Sequence, residues 1–299
     1  MIEINQLNKK YERTEVLNDI DLSVSEGAIY GLLGSNGAGK TTLLKIISGL
    51  LKQNNGSVKI DNSDVFEQPN IKEELQFIPD TPFFFPHYTI QQMGDFYQSC
   101  YSNWNQDRFY QLEKIFKIDR KEKIHTLSKG MQRQVSFWLA LSAMPSYLIL
   151  DEPFDGLDAV IRKKIKQLLI ADVAERNMTI MISSHNLKEV EDICDQIGII
   201  HQGELIIEKS LDDLKSDVHK IQVAFSKEID SSFLDEFTCL HKEKRGSIHL
   251  YIIKGQTFEI DQYINKYQPI VYDRLPLTLE EVFVYEMEGV GYAIENILV

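Results

Sequence analysis

Cysteine is nearly missing from this 299-residue chain: Cys100, Cys194 and Cys239 are odd in number, far apart and without C-x-x-C spacing. That excludes a disulfide framework and leaves unreactive thiols in a reducing compartment as the expectation. No apolar run approaches the roughly 18 residues that a membrane-spanning helix needs. The opening Met1-Ile2-Glu3-Ile4-Asn5 has no basic and apolar signal segment, so a chain that is neither secreted nor membrane-crossing by itself is expected. Long basic runs are absent too, and the formal net charge is -13. Neutralising nucleic-acid phosphates takes concentrated Lys and Arg, so no nucleic-acid partner is expected. There is no internal repeat and no low-complexity segment. What is present is 43% hydrophobic sequence, enough to bury one large core or two smaller ones.

Gly34-Ser35-Asn36-Gly37-Ala38-Gly39-Lys40-Thr41 fits the pattern G-x-x-x-x-G-K-[ST], between the apolar run Ile29 to Leu33 and a helical pattern from Thr42 to Leu50. This order of strand, glycine loop and helix suits a nucleoside triphosphate. The glycines let successive backbone N–H groups turn toward phosphate oxygens, Lys40 reaches the β/γ-phosphates, and the Thr41 hydroxyl is placed for Mg²⁺. A net negative chain still binds ATP through one such local nest of amides.

Short strand-like runs occur at Ile2 to Leu7, Ile20 to Val24, Ala28 to Leu33, Ser57 to Ile60, Leu75 to Ile78, Tyr147 to Leu150, Thr179 to Ser183 and Ile197 to Ile200. Leu43, Ile46, Ile47 and Leu50 recur at helical spacing between two of them. The alternation predicts a mostly parallel sheet with helices on both faces. From about Thr89 to Ile124 the pattern is helical only, which predicts a helical insert. A first unit over 1–215 is expected, with its helical part at about 89–143, and a second over 216–299. In the second, strands at Ile221 to Phe225, near Cys239, at His249 to Ile253 and at Ile270 to Tyr272 alternate with helices near Phe233 and at Phe258 to Tyr267. That is a βαββαβ-like α+β layer, with a closing helix from Thr278 to Met287.

A second motif lies where the apolar run Tyr147-Leu148-Ile149-Leu150 ends in Asp151-Glu152-Pro153. Carboxylates at the carboxyl end of a buried parallel strand stand where open α/β sheets bind ligands. Asp151 is the candidate for the Mg²⁺ shell, and Glu152 for accepting a proton from the water that attacks the γ-phosphate.

Leu127-Ser128-Lys129-Gly130-Met131-Gln132-Arg133 resembles the signature sequence of the ATP-binding cassette ATPases, at the spacing before Asp151 that the family keeps. Ser128 reads as the N-cap of an amphipathic helix, so its hydroxyl and the amides after it form an anion site. The resemblance implies an α/β phosphate-loop NTPase cassette with a mostly parallel core sheet, an antiparallel β part and a helical insert. It also implies that Ser128, Lys129, Gly130 and Met131 face the γ-phosphate held by a second chain, so that one chain cannot complete an active site. Tyr11 looks like the residue that stacks on adenine, with Gly34 through Thr42 (Gly34, Ser35, Asn36, Gly37, Ala38, Gly39, Lys40, Thr41, Thr42) holding the phosphates. Asp158, in Gly156-Leu157-Asp158, resembles the aspartate that crosses the dimer interface. His185 resembles the switch histidine at the γ-phosphate, whereas His87, His125, His201, His219, His241 and His249 have no such context.

Where many cassettes carry glutamine after the strand Phe77-Ile78-Pro79, this chain has Asp80. A carboxylate still ligates Mg²⁺ but loses the amide donor, so Asp80 is expected in the metal shell with Thr41 and Asp151. The Leu-Ser-Lys-Gly-Met form of the signature and the tail Leu279-Glu280-Glu281-Val282-Phe283 are similar to the cassettes of bacterial exporters of antibiotics, lipids or peptides. The resemblance implies ATP and Mg²⁺ as cofactors and a homodimer or a heterodimer with a second cassette. It further implies integral membrane permease subunits as partners, and a cytoplasmic protein peripheral on the inner face of the membrane. Phe83-Phe84-Phe85-Pro86-His87-Tyr88 reads either as a socket for a partner's helix or as core of the helical insert. The competing functions are a cassette ATPase acting on a soluble macromolecule and a phosphate-loop kinase. The first, in its repair and ribosome forms, calls for long coiled coils or two cassettes in one chain, and the second has no need of Ser128 and His185 in these places.

Overall fold

The computed structural model describes residues 1–216, 218–226, 233–234, 236–278, 280–282 and 284. The chain divides into two compact units, Met1–Glu208 and Lys209–Val299. In chain order the first contains β1 (Ile2–Tyr11), β2 (Thr14–Val24), β3 (Ile29–Leu33), α1 (Lys40–Ile47), β4 (Asn55–Ile60), β5 (Ser63–Asp64), α2 (Pro69–Glu74) and β6 (Leu75–Ile78). There follow α3 (Ile90–Cys100), α4 (Gln106–Phe116), α5 (Lys129–Ser142), β7 (Tyr147–Asp151), α6 (Ala159–Arg176), β8 (Thr179–Ser184), α7 (Leu187–Glu191), β9 (Gln196–His201) and β10 (Glu204–Ser210).

Two sheets share one core. The six-stranded sheet runs β10-β9-β3-β8-β7-β6, and β3 pairs in parallel with both β8 and β9, as β7 does with β8 and β6. Every residue of β3, β7 and β8 is buried, which is why these segments read as unbroken apolar runs rather than alternating ones. The second sheet, β2-β1-β4-β5, is antiparallel throughout. Helix α1 lies between them, packing on β7 and β8 and also on β2 and β4. Its Leu43, Leu44, Ile46 and Ile47 join Ile2, Ile4, Leu17, Leu32 and Ile149 in one buried cluster.

The helical insert is α3, α4 and α5. Thr89 and Gln92 form a reciprocal capping box on α3, which satisfies two amides that the first turn would otherwise leave unpaired. Phe109, Leu112 and Phe116 of α4 are buried along with Trp138 of α5. The Trp138 indole donates to the Phe109 carbonyl at 2.7 Å, so the large ring is buried with its one polar atom paired.

After the end of β10, the second unit contains α8 (Leu211–Ser216), β11 (Val218–Ala224), β12 (Thr238–Arg245), β13 (Ile248–Lys254), α9 (Thr257–Asn265) and β14 (Val271–Leu275). Its sheet is ordered β12-β13-β11-β14, and each neighbouring pair is antiparallel. Ile221, Val223, Tyr251 and Ile253 cluster with Ile260 and Ile264 of α9, the period-two face of a half-covered sheet. Two expectations fall partly outside the described residues. Phe233 and Leu234 form a turn and are buried in this core, while the residues just before them and Asp235 lie outside the described ones. Of the closing helix, Glu280, Glu281, Val282 and Val284 are helical, and the stretch on to Met287, with Leu279 and Phe283 of the tail motif, falls outside the described residues.

Candidate functional site

Four parallel strands deliver the candidate residues from their carboxyl ends. After β3 comes the phosphate loop, after β6 Asp80, after β7 Glu152 and after β8 His185. Ladder register fixes their depth, since Leu33 is level with Ser184 and Asp151 with Ser183. The loop ends in Gly39, whose φ of +110° makes it the left-handed N-cap of α1. A Cβ there would meet Leu17 Cδ2 at 2.8 Å, so glycine alone fits both the backbone and the space. No acidic residue occupies the first turn of α1, which leaves its N-terminus to an anion.

Around this loop lies an open cavity of about 350 Å³ lined by Val16, Ser35, Asn36, Gly37, Gly39, Lys40, Thr41, Thr42, Asp80 and Glu152. Lys40 is 6% exposed. Its ammonium donates to the Gly34 and Ser35 carbonyls at 2.6 and 3.2 Å and stands 3.2 Å from Glu152 Oε1. That pair is an ion pair without hydrogen-bond geometry, so Oε1 is buried with no donor. Oε2 is 2.9 Å from His185 Nδ1. The ligand atoms of Glu152, Asp155 and His185 all lie within 4.8 Å of one another.

Asp151, 2% exposed, accepts from the Thr41 hydroxyl at 2.8 Å through Oδ2 and from Ser183 Oγ at 2.7 Å through Oδ1. Ser183 Oγ in turn accepts the Glu152 backbone N–H at 2.9 Å. A hydroxyl and a carboxylate converging beside the phosphate loop form a hard oxygen donor set, which fits Mg²⁺. Asp80 reaches the same cavity but gives its Oδ1 to Arg133 at 2.8 Å. Behind His185, burial pushes the Glu189 carboxyl above its ordinary value, opposed by Arg162 at 3.2 Å and by the Ser184 hydroxyl.

The signature residues stand elsewhere. Ser128 caps α5, its Oγ accepting from Met131 N–H at 3.3 Å, yet Ser128, Lys129, Gly130 and Met131 are not among the residues lining the phosphate cavity. Gly130 instead packs on the loop after β7, where an added Cβ would lie 3.0 Å from the Gly156 carbonyl. Asp158 caps α6, accepting from Val160 and Ile161 N–H at 3.0 Å each. Tyr11, 46% exposed, ends β1 with the Lys9 ammonium 5.1 Å from its ring centre, and is likewise outside the cavity lining. Val16, Ser183 and Arg133 were not singled out from the sequence. Val16 has no motif to mark it, Ser183 is concealed in an apolar strand, and Arg133 closes the signature string without a role of its own there.

Residues 17–155 match the ABC transporter family. A Bacillus subtilis protein named ABC transporter ATP-binding protein YtrB is 32% identical over 289 residues, covering 97% of this chain and 99% of that one. The bacitracin transport ATP-binding protein BcrA of Bacillus licheniformis is 33% identical over 218 residues, 72% of this chain and 71% of its own length. A solved structure titled as the ATP binding subunit of an ABC transporter superposes with a TM-score of 0.67 at 27% identity, covering 72% of this chain and 92% of that one. Since the likeness to YtrB runs through the second unit as well as the nucleotide fold, the chain belongs to the ATP-binding cassette family, as the ATP-binding and ATP-hydrolysing subunit of an ABC transporter.

Proposed function

We propose that two cassettes close head to tail around ATP and that their cycle drives export through separate membrane permease subunits. The observation that carries this reading is the separation within one chain: the cavity holds the phosphate loop, Asp80 and Glu152, while Ser128 to Met131 lie outside it. The capped N-terminus of α5 has no acidic residue in its first turn, which suits it to an anion. Supplied to a partner copy, it completes that copy's site, which makes nucleotide part of the interface.

Within one site, Tyr11 stacks on the adenine and the amides of Gly34 to Thr42 cradle the phosphates. Lys40 exchanges its carbonyl partners for phosphate oxygens. Thr41 and Asp151 would hold Mg²⁺, and Asp80, which lines the same cavity, would add a further carboxylate. When bound, Mg²⁺ supplies charge neutralisation between the phosphates. Glu152 Oε1 accepts the proton of the attacking water, and His185 orients the carboxylate through Oε2 and meets the γ-phosphate. Asp158 lies across the dimer interface. ATP favours the closed pair and product the open one, so the cycle is a population shift set by differential affinity.

Phe83 is 78% exposed, while Phe85 packs edge-on against Phe96 at 5.0 Å. The segment is therefore fixed at its base and open at its tip, which suits a socket for a permease helix. No helix among the described residues is long and apolar enough to cross a membrane, and the permease partner would hold the protein at the inner face. The likeness to BcrA favours export of an amphipathic substrate such as a peptide. Among the described residues after 208 there is no catalytic grouping, and this unit serves as an accessory domain. In the test, Glu152→Gln loses hydrolysis by about 10² to 10⁴, keeps ATP binding and accumulates as an ATP-bound dimer. Full turnover by that variant contradicts the assignment.

A further inference from the structure

Glu152 stands in a conformation it would not adopt alone. Its φ is +44°, in the left-handed region that side-chain-bearing residues enter at a cost, and such backbone persists where its neighbours over-determine it. On one side its N–H is held by Ser183 Oγ at 2.9 Å. On the other its carbonyl accepts from Arg133 Nη1. Nη2 of the same guanidinium donates to the backbone carbonyl of Asp80 and, at 2.8 Å, to Asp80 Oδ1. Arg133 is 8% exposed and sits on α5, on the helix that Ser128 caps. One planar fork thus joins the signature helix to the residue beyond β7 and to the loop beyond β6.

We propose that Arg133 is a positioning residue for hydrolysis. It locks the Glu152 turn so that the carboxylate faces Lys40 and His185, and it ties that turn to Asp80 and so to the aromatic segment that begins at Phe83. The proposal rests on Glu152 being the general base. The chemistry favours arginine specifically, because a guanidinium presents donors in a fixed fork whereas an ammonium is a point charge that cannot span all three acceptors. It also accounts for the carboxylate at position 80, whose charge pairs with the buried cation from a side chain that is itself 57% exposed. Displacement of the aromatic segment by a docked partner is transmitted through Asp80 and Arg133 to Glu152 without any movement of the phosphate loop.

The test uses the purified full chain with Arg133→Gln, Arg133→Lys, Glu152→Gln and the double variant R133Q/E152Q. The readouts are kcat and KM for ATP and affinity for a fluorescent ATP analogue. The expectation is a kcat lower by about 10- to 100-fold in R133Q, the worth of its charge-assisted hydrogen bond to the Glu152 carbonyl, with analogue affinity within about threefold. R133K recovers part of the rate, and the double variant is no slower than E152Q, because both changes act through one carboxylate. A structural role alone would lower affinity and rate together, and its effect would multiply with that of E152Q. The proposal is overturned if R133Q and R133K both keep kcat within about twofold of the parent while E152Q is inactive, or if the two losses multiply. Should R133Q fail to fold, R133K decides on the same readouts. Full turnover by E152Q removes the general-base reading, and the proposal with it.

Discussion

Ser183→Ala is the substitution whose cost follows most directly from the site's geometry. The side chain is fully buried, and its hydroxyl makes two bonds at once, donating to Asp151 Oδ1 at 2.7 Å and accepting from Glu152 N–H at 2.9 Å. Alanine removes a hydrogen bond to an ionised carboxylate, about 1.5–3 kcal/mol, and strands a buried N–H, about 1–3 kcal/mol. Because Asp151 keeps the Thr41 hydroxyl, the sum is expected in the lower half of its range, about 3–4 kcal/mol. Urea unfolding of the full chain reads this well, since both tryptophans, Trp104 and Trp138, belong to the first unit and their fluorescence reports that unit. The midpoint should fall at unchanged slope. Ser99→Ala, an exposed hydroxyl bonded to the Phe96 carbonyl, is the control and should stay within about 0.5 kcal/mol. If Ser183→Ala behaved like the control, the argument that this hydroxyl organises both carboxylate residues would be wrong.

Other expectations are simpler to state. Phe83→Ala should leave the melting temperature unchanged, since the ring is 78% exposed, yet abolish recovery of the protein with membranes that contain its permease; a lowered melting temperature with intact recovery would make the segment core instead. In the second unit, Glu281 pairs with Lys220 at 2.5 Å and caps through Thr278. Burial acts to raise its carboxyl, but the Lys220 and Thr278 hydrogen bonds outweigh it and hold the group below the ordinary glutamate value. A lowered folded pKa contributes stability above the unfolded value that is lost as pH falls through the folded one. Glu281→Gln should therefore cost about 0.5–1 kcal/mol at neutral pH, and the two unfolding curves should converge on acidification; a gap that widened in acid would reverse the sign.

How much of this was legible beforehand depended on whether neighbouring residues carried the signal. The phosphate loop and the buried strands β3, β7 and β8 announce themselves, one by glycine placement and the others by unbroken apolar runs. β1 and β2 were expected only in part, because Gln6 and Asp19 take positive φ and the bulges between them shift the register, breaking the period-two pattern. β10 carries little signal, since none of its residues is fully buried and they include Glu204, Glu208 and Lys209. Its hairpin with β9 is marked locally by Gln202-Gly203, both at positive φ, a turn signal too short to stand alone. Ser128 as an N-cap followed from local chemistry. The reach of Arg133 to the backbone carbonyls of Asp80 and Glu152 did not, because contacts made across the fold leave no trace in the spacing of either segment.

The account turns on a nucleotide held between two cassettes, and the rate of ATP hydrolysis per molecule as the protein is diluted tests it most directly. The rate should fall as the chain concentration drops below that needed for pairing, and recover when chains are concentrated again. A rate per molecule that stayed constant to extreme dilution, with no association detected during turnover, would contradict it.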